Sequence, residues 1–261
     1  MVAIKTYNKL RLGEGDKRTT VLREISILES LDHPNICSLI DKFENFRNLH
    51  LVLEHCGDVN LRDKVDGSPR LNRSEIRVIF LQLVQAVQHC HFHGITHNDI
   101  KMENVVLDDY LGVKLVDFGF ARREADRMKT SVCGTPNYMA PELLNREKHF
   151  PKPTDVWALG VLLYYMILRR FPYRAKNEIE LTNMVKLSLP DLSGIRCQEE
   201  RDLLDWIFTR NPEERPSCQQ ILASPYLTAN RVVDNPVGFE DNLKADKDSE
   251  ALSNAQRLNR A

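Results

Sequence analysis

Apolar and polar positions alternate with two different periods along the first 54 residues. Residues 2–6, VAIKT, alternate and are rich in β-branched side chains, which predicts a strand. Residues 18–31 carry apolar side chains at helical spacing, at Val21, Leu22, Ile25, Leu28 and Leu31. Two more strands are predicted at Ile36 to Phe43 and Leu49 to Glu54, and the polar stretch from Asn8 to Asp16 predicts a loop.

Helical spacing dominates after a short connector at residues 55–60. Asn72 and Glu75 have the spacing of a capping box. The helix they begin would end near Gly94 and bury one face, formed by Ile76, Ile79, Phe80, Leu83, Val84 and Val87. Short strands are predicted at Val105 to Leu107 and Val113 to Val116.

A helix beginning at Thr154 or Asp155 is apolar nearly all round through Leu168, which is typical of a helix at the centre of a helical lobe. A later amphipathic helix, Glu199 to Arg210, would turn Leu203, Leu204, Trp206 and Ile207 inward. The pattern predicts an α+β protein in which a small strand-rich lobe precedes a larger helical lobe. Clefts between lobes are preferred ligand sites.

The amino-acid composition argues against several classes of function. The 36 Lys and Arg residues against 37 Asp and Glu residues give a net charge of −1, which does not favour nucleic acid as a partner. The longest nearly apolar run, Val156 to Leu168, is shorter than the roughly 20 residues of a membrane-spanning helix, and no signal peptide begins the chain. Six cysteines without a CxxC pair indicate a reduced, intracellular protein, cytoplasmic or nuclear.

Five short sequence motifs follow one another in a defined order along the chain. They are VAIK at 2–5, HNDIKMEN at 97–104, DFG at 117–119, GTP at 134–136 and APE at 140–142. Each has a plain structural explanation alone, since DFG is a common turn and a lone lysine on a strand is usually solvated. In this order and spacing the chain resembles the eukaryotic protein kinase family from residue 2 to about residue 227.

The resemblance implies a two-lobed protein kinase fold with a truncated small β lobe and a larger helical lobe. Residues 1–54 would form an incomplete N-lobe and residues 55–60 the hinge. Residues 61–227 would form the C-lobe with the catalytic and activation loops, and 228–261 a polar, weakly ordered tail.

The same resemblance implies a catalytic group that uses ATP and Mg²⁺. Phosphoryl transfer depends mainly on positioning and charge neutralisation. Asp99 would accept or orient the proton of the incoming hydroxyl, Lys101 would neutralise the γ-phosphate, and Thr135 would lie beside them. Asn104 and Asp117 would hold the metal ions, because Mg²⁺ prefers hard oxygen ligands.

The nucleotide would lie against the first lobe. Lys5 would grip the α- and β-phosphates and be held by Glu24, which is 19 residues away. Backbone groups of the hinge, Glu54 to Cys56, would face adenine. The apolar side chains around the ring would be Leu51 at the back and Ala3 and Val106 on its two faces.

The resemblance also implies three structural contacts. Asp155 would anchor the backbone of the catalytic loop, and Arg215 would form a buried ion pair with Glu142. A hydrophobic column would link the lobes through Leu28, Leu39, His97 and Phe118. The alternating histidines of HCHFH, at 89, 91 and 93, resemble a metal cluster, but helical geometry turns the middle one away from the other two.

The sequence departs from the family pattern at three places. No GxGxxG precedes Lys5 in the printed chain, so the first strand is expected to have unpaired edges and ATP to lack a lid. Asn98 replaces the usual Arg of HRD, so we expect activity not to depend strongly on phosphorylation at Thr130 or Ser131. Met102 replaces a common Pro.

Lys101 and Thr135 favour a Ser/Thr protein kinase over a tyrosine kinase, with a calcium/calmodulin-dependent-like or polo-like branch as the expectation. The partner would be a protein substrate with a Ser or Thr hydroxyl. The alternative is a non-catalytic kinase-fold scaffold, or pseudokinase, which the missing lid favours. A third possibility is that the sequence is a fragment.

Overall fold

The computed structural model describes residues 1–13, 15–67, 69–124, 135–145 and 151–229. The predicted tail from Asn230 and the candidate phosphorylation positions Thr130 and Ser131 lie outside the described residues.

An antiparallel three-stranded sheet forms the first part of the chain. Its strands are β1, Val2–Asn8; β2, Leu39–Glu44; and β3, Asn48–Glu54. The order is β1-β3-β2, so β3 lies in the middle, and the predicted strands are confirmed. The sheet turns one face of β1 towards the rest of the protein, and that face carries Lys5.

Register in the sheet follows from the alternation of side chains along β1. Lys5 pairs with Leu51, and Ala3 pairs with Leu53. Because successive strand residues point to opposite faces, Ala3, Lys5 and Tyr7 share one face. Lys5 and Tyr7 are half-buried while their neighbours in β1 are exposed.

Helix α2, Asp16–Leu28, packs on this face of the sheet. Val21 and Ile25 are buried in one cluster with Leu51, which is completely buried. Leu22 belongs to the apolar positions at helical spacing but does not face the core, since 53% of its surface is exposed. The buried side of α2 is narrower than its apolar pattern, since Glu24 and not Leu22 turns towards the sheet.

The stretch predicted as a loop after β1 contains a short helix, α1, Lys9–Leu12. The Asn8 side chain caps it by accepting hydrogen bonds from the backbone nitrogens of Leu10 and Arg11 at 3.0 and 3.2 Å. Asparagine is a strong N-cap residue, and it satisfies donors that a helix start leaves free.

Helices form the larger part of the described chain. They are α3, Leu61–Asp66; α4, Arg73–Phe92; α5, Pro141–Leu144; α6, Pro151–Leu168; α7, Glu178–Leu187; α8, Gln198–Ile207; α9, Cys218–Leu222; and α10, Pro225–Thr228. The observed architecture is the expected α+β arrangement of a small β-sheet region and a larger helical region.

The long helices confirm the sequence patterns, with two corrections. The capping box of Asn72 and Glu75 is present at the start of α4. Helix α6 begins at Pro151, earlier than predicted, because proline suits a first helical turn. Trp206 on α8 was predicted to face inward but is 39% exposed.

Two small antiparallel sheets contain the short strands that lie between α4 and α5. Strands β4, Val59–Asn60; β6, Val105–Leu107; and β7, Val113–Leu115 form one of them, in the order β4-β6-β7. Strands β5, Ile95–Thr96, and β8, Arg122–Arg123, form the other. These short pairings bring the segments at 97–104 and 117–119 side by side.

Within the described residues, no helix has both the length and the apolar character needed to cross a bilayer.

Candidate active site

Asp99 lies at the centre of a polar cluster below the small sheet. Its Oδ2 accepts hydrogen bonds from Lys101 Nζ at 2.6 Å and from Asn104 Nδ2 at 3.0 Å. Its Oδ1 accepts from the hydroxyl of Thr135 at 3.3 Å, and Lys101 Nζ lies 3.3 Å from the same hydroxyl oxygen. The structure therefore brings three sequence-predicted residues, Lys101, Asn104 and Thr135, around the buried carboxylate of a fourth, Asp99.

Asp155 of α6 fixes the loop that carries Asp99. Its two carboxylate oxygens accept hydrogen bonds from the backbone nitrogens of His97, at 2.9 Å, and Asn98, at 2.8 Å. His91 Nε2 donates to the same carboxylate at 2.9 Å. Because Asp155 is 98% shielded from solvent on a buried helix, it places the loop backbone rigidly, as the resemblance implied.

A second cluster lies on the sheet face. Lys5 Nζ donates to Glu24 Oε1 at 2.7 Å and to Asp117 Oδ1 at 2.9 Å. Tyr7, two residues after Lys5, donates its hydroxyl to the other oxygen of Glu24 at 2.6 Å. Glu24 is 3% exposed, so both oxygens of a buried carboxylate are satisfied from one strand.

These contacts shift the pKa values of the cluster. Burial alone would lower the pKa of Lys5, but the hydrogen bond and charge of Glu24 outweigh it, so the pKa is raised. Burial would raise the pKa of Asp117, but the hydrogen bond and charge of Lys5 hold it below its ordinary value. Burial and the Glu24 hydrogen bond raise the pKa of Tyr7 to about 12. Lys5 and Asp117 are therefore charged at neutral pH.

The two clusters are joined through the backbone before Asp117. The nitrogen of Val116 donates to the carbonyl oxygen of Asn104 at 2.9 Å. The ring of His97 donates from Nε2 to the carbonyl oxygen of Val116 at 3.2 Å and lies 4.8 Å from the ring of Phe118. The side chains of Asp117 and Asn104 thus project from two neighbouring backbone segments that are hydrogen-bonded to each other.

Asp117 has an uncommon backbone conformation, with φ of 61°. Non-glycine residues in this region are strained by about 1–3 kcal/mol and cluster at functional sites. Its side chain remains 44% exposed, although it contacts Lys5. The carboxylate is thus presented to the cleft at an energetic cost that local packing must offset.

Asn98, the replacement for the family arginine, has a structural role of its own. Its φ is 62°, a conformation that asparagine tolerates better than most residues. Its Nδ2 donates to the carbonyl oxygen of Phe120 at 3.1 Å and lies 3.2 Å from the hydroxyl oxygen of Thr96. A neutral amide therefore ties the loop to the segment after DFG.

The residues expected around adenine differ in exposure. Ala3 is exposed and Val106 is half-buried, whereas Leu51 is completely buried beneath the sheet. Leu53, which the sequence argument did not single out, pairs with Ala3 on one side and with Leu39 on the other. Alternation along β1 was the signal that could have identified it.

Glu54 and Cys56 begin the connector after β3. The carboxylate of Glu54 binds Lys114 Nζ at 2.7 Å and accepts from the backbone nitrogen of Ser38 at 3.2 Å. Its side chain is therefore used within the protein.

Two other sequence expectations concern contacts away from the cleft. Arg215 donates to both oxygens of Glu142, at 2.7 and 3.1 Å, and both side chains are buried. The histidines of HCHFH do not converge, since His91 binds Asp155 while the ring centroids of His89 and His93 lie 4.4 Å apart with the rings tilted by 46°. Among the described residues, no group of three or more His, Cys, Asp or Glu side chains is arranged to hold a metal ion.

The donors in the cleft nevertheless fit a magnesium-bound nucleotide. Nδ2 of Asn104 donates to Asp99, so its amide oxygen is the atom that this side chain can offer to a cation. Asp117 adds an ionised, partly exposed carboxylate. A carboxylate and an amide oxygen are hard ligands of the kind that Mg²⁺ takes together with phosphates and water.

Comparison with known proteins gives the same assignment. A profile described as "Protein kinase domain" matches residues 1–227. The chain is 32% identical over 222 residues to "NUAK family SNF1-like kinase 1" of Homo sapiens, covering 85% of this chain and 33% of that protein. It is 35% identical over 228 residues to "Carbon catabolite-derepressing protein kinase" of Candida glabrata, covering 87% and 37% respectively.

A third relative is "Probable serine/threonine-protein kinase MARK-A" of Dictyostelium discoideum, 30% identical over 245 residues, which are 93% of this chain and 23% of that protein. The chain spans about a third or less of the length of these relatives. The family profile covers the sheet, both polar clusters and the helical region, and the chain belongs to the protein kinase domain family.

Proposed function

We propose that this chain is a Ser/Thr protein kinase domain that transfers the γ-phosphate of ATP to protein hydroxyls. The observation that carries the proposal is the arrangement of Lys101, Asn104 and Thr135 around the buried carboxylate of Asp99. A lysine and a hydroxyl on the same carboxylate suit a group that must orient an incoming alcohol beside a highly charged phosphate.

Asp99 is the residue that receives or orients the proton of the substrate hydroxyl. Lys101, which is 2.6 Å from Asp99, places a positive charge where negative charge accumulates on the transferred phosphoryl group. Thr135 bridges the two by contacts of 3.3 Å and holds their separation. Because these groups are fixed before substrate binds, little reorganisation is needed during transfer.

The nucleotide lies against the sheet in this proposal. Lys5 binds the α- and β-phosphates, and Glu24 keeps it extended in the cleft. When bound, Mg²⁺ would neutralise phosphate charge, with Asp117 and Asn104 as its protein ligands. Adenine is held by backbone groups of Glu54 to Cys56, between Ala3 and Val106, with Leu51 at the back of the pocket.

Contacts between Lys5 and Asp117 support the same assignment. The Lys5 ammonium bridges Glu24 and Asp117 at 2.7 and 2.9 Å. Two carboxylates around one lysine leave excess negative charge, which a divalent cation can balance. These contacts thus hold Lys5 and Asp117 ionised and in place for a magnesium nucleotide.

We place the chain in the SNF1-related branch of the Ser/Thr kinases, since the name of one relative contains that term and a MARK kinase is another. The calcium/calmodulin-dependent-like or polo-like branch stays a prediction. A protein with exposed Ser or Thr is the proposed substrate. Cytoplasmic or nuclear location and the absence of a nucleic-acid partner also stay predictions.

Transfer of labelled γ-phosphate from ATP to a generic basic protein tests this function. Asp99→Asn should lower the rate by about 10²- to 10⁴-fold, because it removes the proton acceptor. Asp109→Asn is the matched control, since the carboxylate of Asp109 is exposed in the turn that follows strand β6. Acid hydrolysis of the product should give phosphoserine or phosphothreonine.

Two results would argue against the proposal. Phosphotyrosine alone would contradict the Ser/Thr assignment. No transfer by the parent protein, with the chain folded and Mg²⁺-ATP present, would favour the scaffold alternative.

A further inference from the structure

Two thiols meet where β3 ends and the connector begins. Cys37 Sγ lies 3.7 Å from the carbonyl oxygen of Glu54, and Cys56 Sγ lies 3.5 Å from the same oxygen. Cys37 precedes β2 and Cys56 follows β3, and the backbone nitrogen of Glu54 donates to Ser38 at 2.9 Å between them. Strand pairing therefore brings two cysteines, 19 residues apart, to one backbone carbonyl.

The two sulfurs have different surroundings. Cys37 is buried, with 6% of its surface exposed, whereas Cys56 is half-buried and reachable from solvent. The neighbouring thiol and burial raise the pKa of Cys37, whereas the neighbouring thiol lowers the pKa of Cys56. The ion pair of Glu54 and Lys114, at 2.7 Å, lies near both thiols, and its two charges act on their pKa values in opposite directions.

We infer that Cys37 and Cys56 form a peroxide-sensitive dithiol that closes into a disulfide across the start of the connector. The exposed sulfur is the attacking group, since thiolate character and access govern reaction with peroxide. The buried sulfur is the resolving group, because it already lies against the same carbonyl oxygen. This chemistry is independent of the proposed kinase activity.

The reaction has two balanced steps. The Cys56 thiolate attacks one oxygen of hydrogen peroxide, the S–O bond forms, the O–O bond breaks, and hydroxide leaves to take up a proton as water. Cys37 then attacks the Cys56 sulfur, so that the S–S bond forms and the S–O bond breaks. The leaving hydroxyl takes the Cys37 proton as a second water. Two thiols are oxidised and one peroxide is reduced.

The other described cysteines lack this arrangement. Burial raises the pKa of Cys90 and of Cys218, which are both inaccessible. Burial and the carboxylate of Glu199 raise the pKa of Cys197, which is half-buried but beside an acidic group. Cys197 is therefore a matched internal control for accessibility without a partner thiol.

Mass spectrometry of the parent protein tests the inference. The protein is treated with a small molar excess of hydrogen peroxide, free thiols are blocked with N-ethylmaleimide, and the non-reduced digest is analysed. We expect a peptide pair linked through Cys37 and Cys56 that disappears after treatment with dithiothreitol. In Cys37→Ser, Cys56 should instead accumulate as sulfenic or sulfinic acid, by about tenfold over the parent.

Two outcomes would overturn the inference. One is recovery of Cys37 and Cys56 as separately alkylated peptides while Cys197 is oxidised. The other is Cys56 oxidised to sulfinic acid in the parent protein without a linked peptide. Because the parent protein provides the primary readout, the test does not depend on a variant that folds.

Discussion

The hydroxyl of Tyr7 donates a 2.6 Å hydrogen bond to Oε2 of Glu24, while Oε1 of that carboxylate accepts from Lys5 at 2.7 Å. The two donors, Lys5 and Tyr7, occupy alternate positions of β1, so the strand is hydrogen-bonded to helix α2 through both oxygens of Glu24. Tyr7 shares one face of β1 with Lys5, and within the part of the chain that the structure describes it makes no hydrogen bond to Asp99 or Asn104. We regard it as a positioning residue for the Lys5–Glu24 pair.

Replacing Tyr7 with phenylalanine should destabilise the protein and weaken nucleotide binding. The change leaves one oxygen of a carboxylate that is 3% exposed without its donor, which typically costs about 1–3 kcal/mol. Urea unfolding measures the stability, and titration with Mg²⁺-ATP measures the affinity.

Tyr110→Phe is the control, because that tyrosine is 91% exposed and should tolerate loss of its hydroxyl. Equal stability of Tyr7→Phe and the parent protein would contradict the positioning role.

Much of this fold follows from periodicity and capping. Residues 2–6 alternate and form β1, and the Asn72–Glu75 spacing begins α4 at the residue predicted. The pairing of Lys5 with Glu24 could also be expected, but only through the family resemblance. Spacing along the chain does not state that Glu24 of α2 meets a lysine from a strand.

The failures arose where tertiary packing outweighed local pattern. Leu22 and Trp206 are apolar at helical spacing, yet both remain exposed, because the surfaces packed against their helices are narrower than the apolar stripes. The Tyr7–Glu24 bond joins elements whose relative placement no local pattern specifies. The approach of Cys37 and Cys56 to the carbonyl oxygen of Glu54 depends on the register of β2 against β3, which is interrupted between Leu39 and Asp41.

Breaking the buried Glu142–Arg215 pair should be among the most damaging changes away from the cleft. Glu142→Gln leaves the guanidinium of Arg215 buried without its counter-charge, and such losses typically cost about 3–5 kcal/mol. Thermal and urea unfolding measure the effect.

The exposed pair Lys42–Glu29 provides the comparison. Lys42→Met should change stability by about 1 kcal/mol or less, since solvated ion pairs contribute little. Similar losses for Glu142→Gln and Lys42→Met would show that burial does not determine the contribution here.

Two variants of Asn98 can separate the effect of backbone strain on stability from the effect of a hydrogen bond. Asn98→Gly keeps access to φ of 62° but removes the bond to Phe120, at an expected cost of about 0.5–1.5 kcal/mol. Asn98→Ala loses the same bond and also occupies an unfavourable conformation, so it should cost about 1 kcal/mol more. Urea unfolding of both variants checks the order, and an alanine variant as stable as the glycine variant would contradict it.

Acid should destabilise the protein below neutral pH through His97. Complete burial lowers the pKa of His97, whose ring donates from Nε2 to Val116 and accepts at Nδ1 from the nitrogen of Asp99. A folded-state pKa below the unfolded value of about 6.5 contributes stability that is present above that pH and lost as pH falls. Burial lowers the pKa of His33 and His89 in the same direction.

The free energy of unfolding should therefore decrease between about pH 6.5 and pH 5, because the unfolded chain binds more protons there. Urea unfolding at several pH values measures the slope, and NMR titration of His97 gives its pKa directly. A flat or rising stability over this interval would contradict the burial of a neutral imidazole.

The central claim is that Lys5, Asn104 and Asp117 form a site for a magnesium nucleotide, and Mg²⁺-dependent binding of ATP tests it most directly. Thermal unfolding is followed with ATP and Mg²⁺ together and with each alone, in the parent protein, in Asp117→Asn and in the exposed control Asp205→Asn. We predict that ATP with Mg²⁺ raises the melting temperature of the parent and of Asp205→Asn, and that this rise is absent from Asp117→Asn. An equal rise in Asp117→Asn, or a rise in the parent that does not depend on Mg²⁺, would contradict the account.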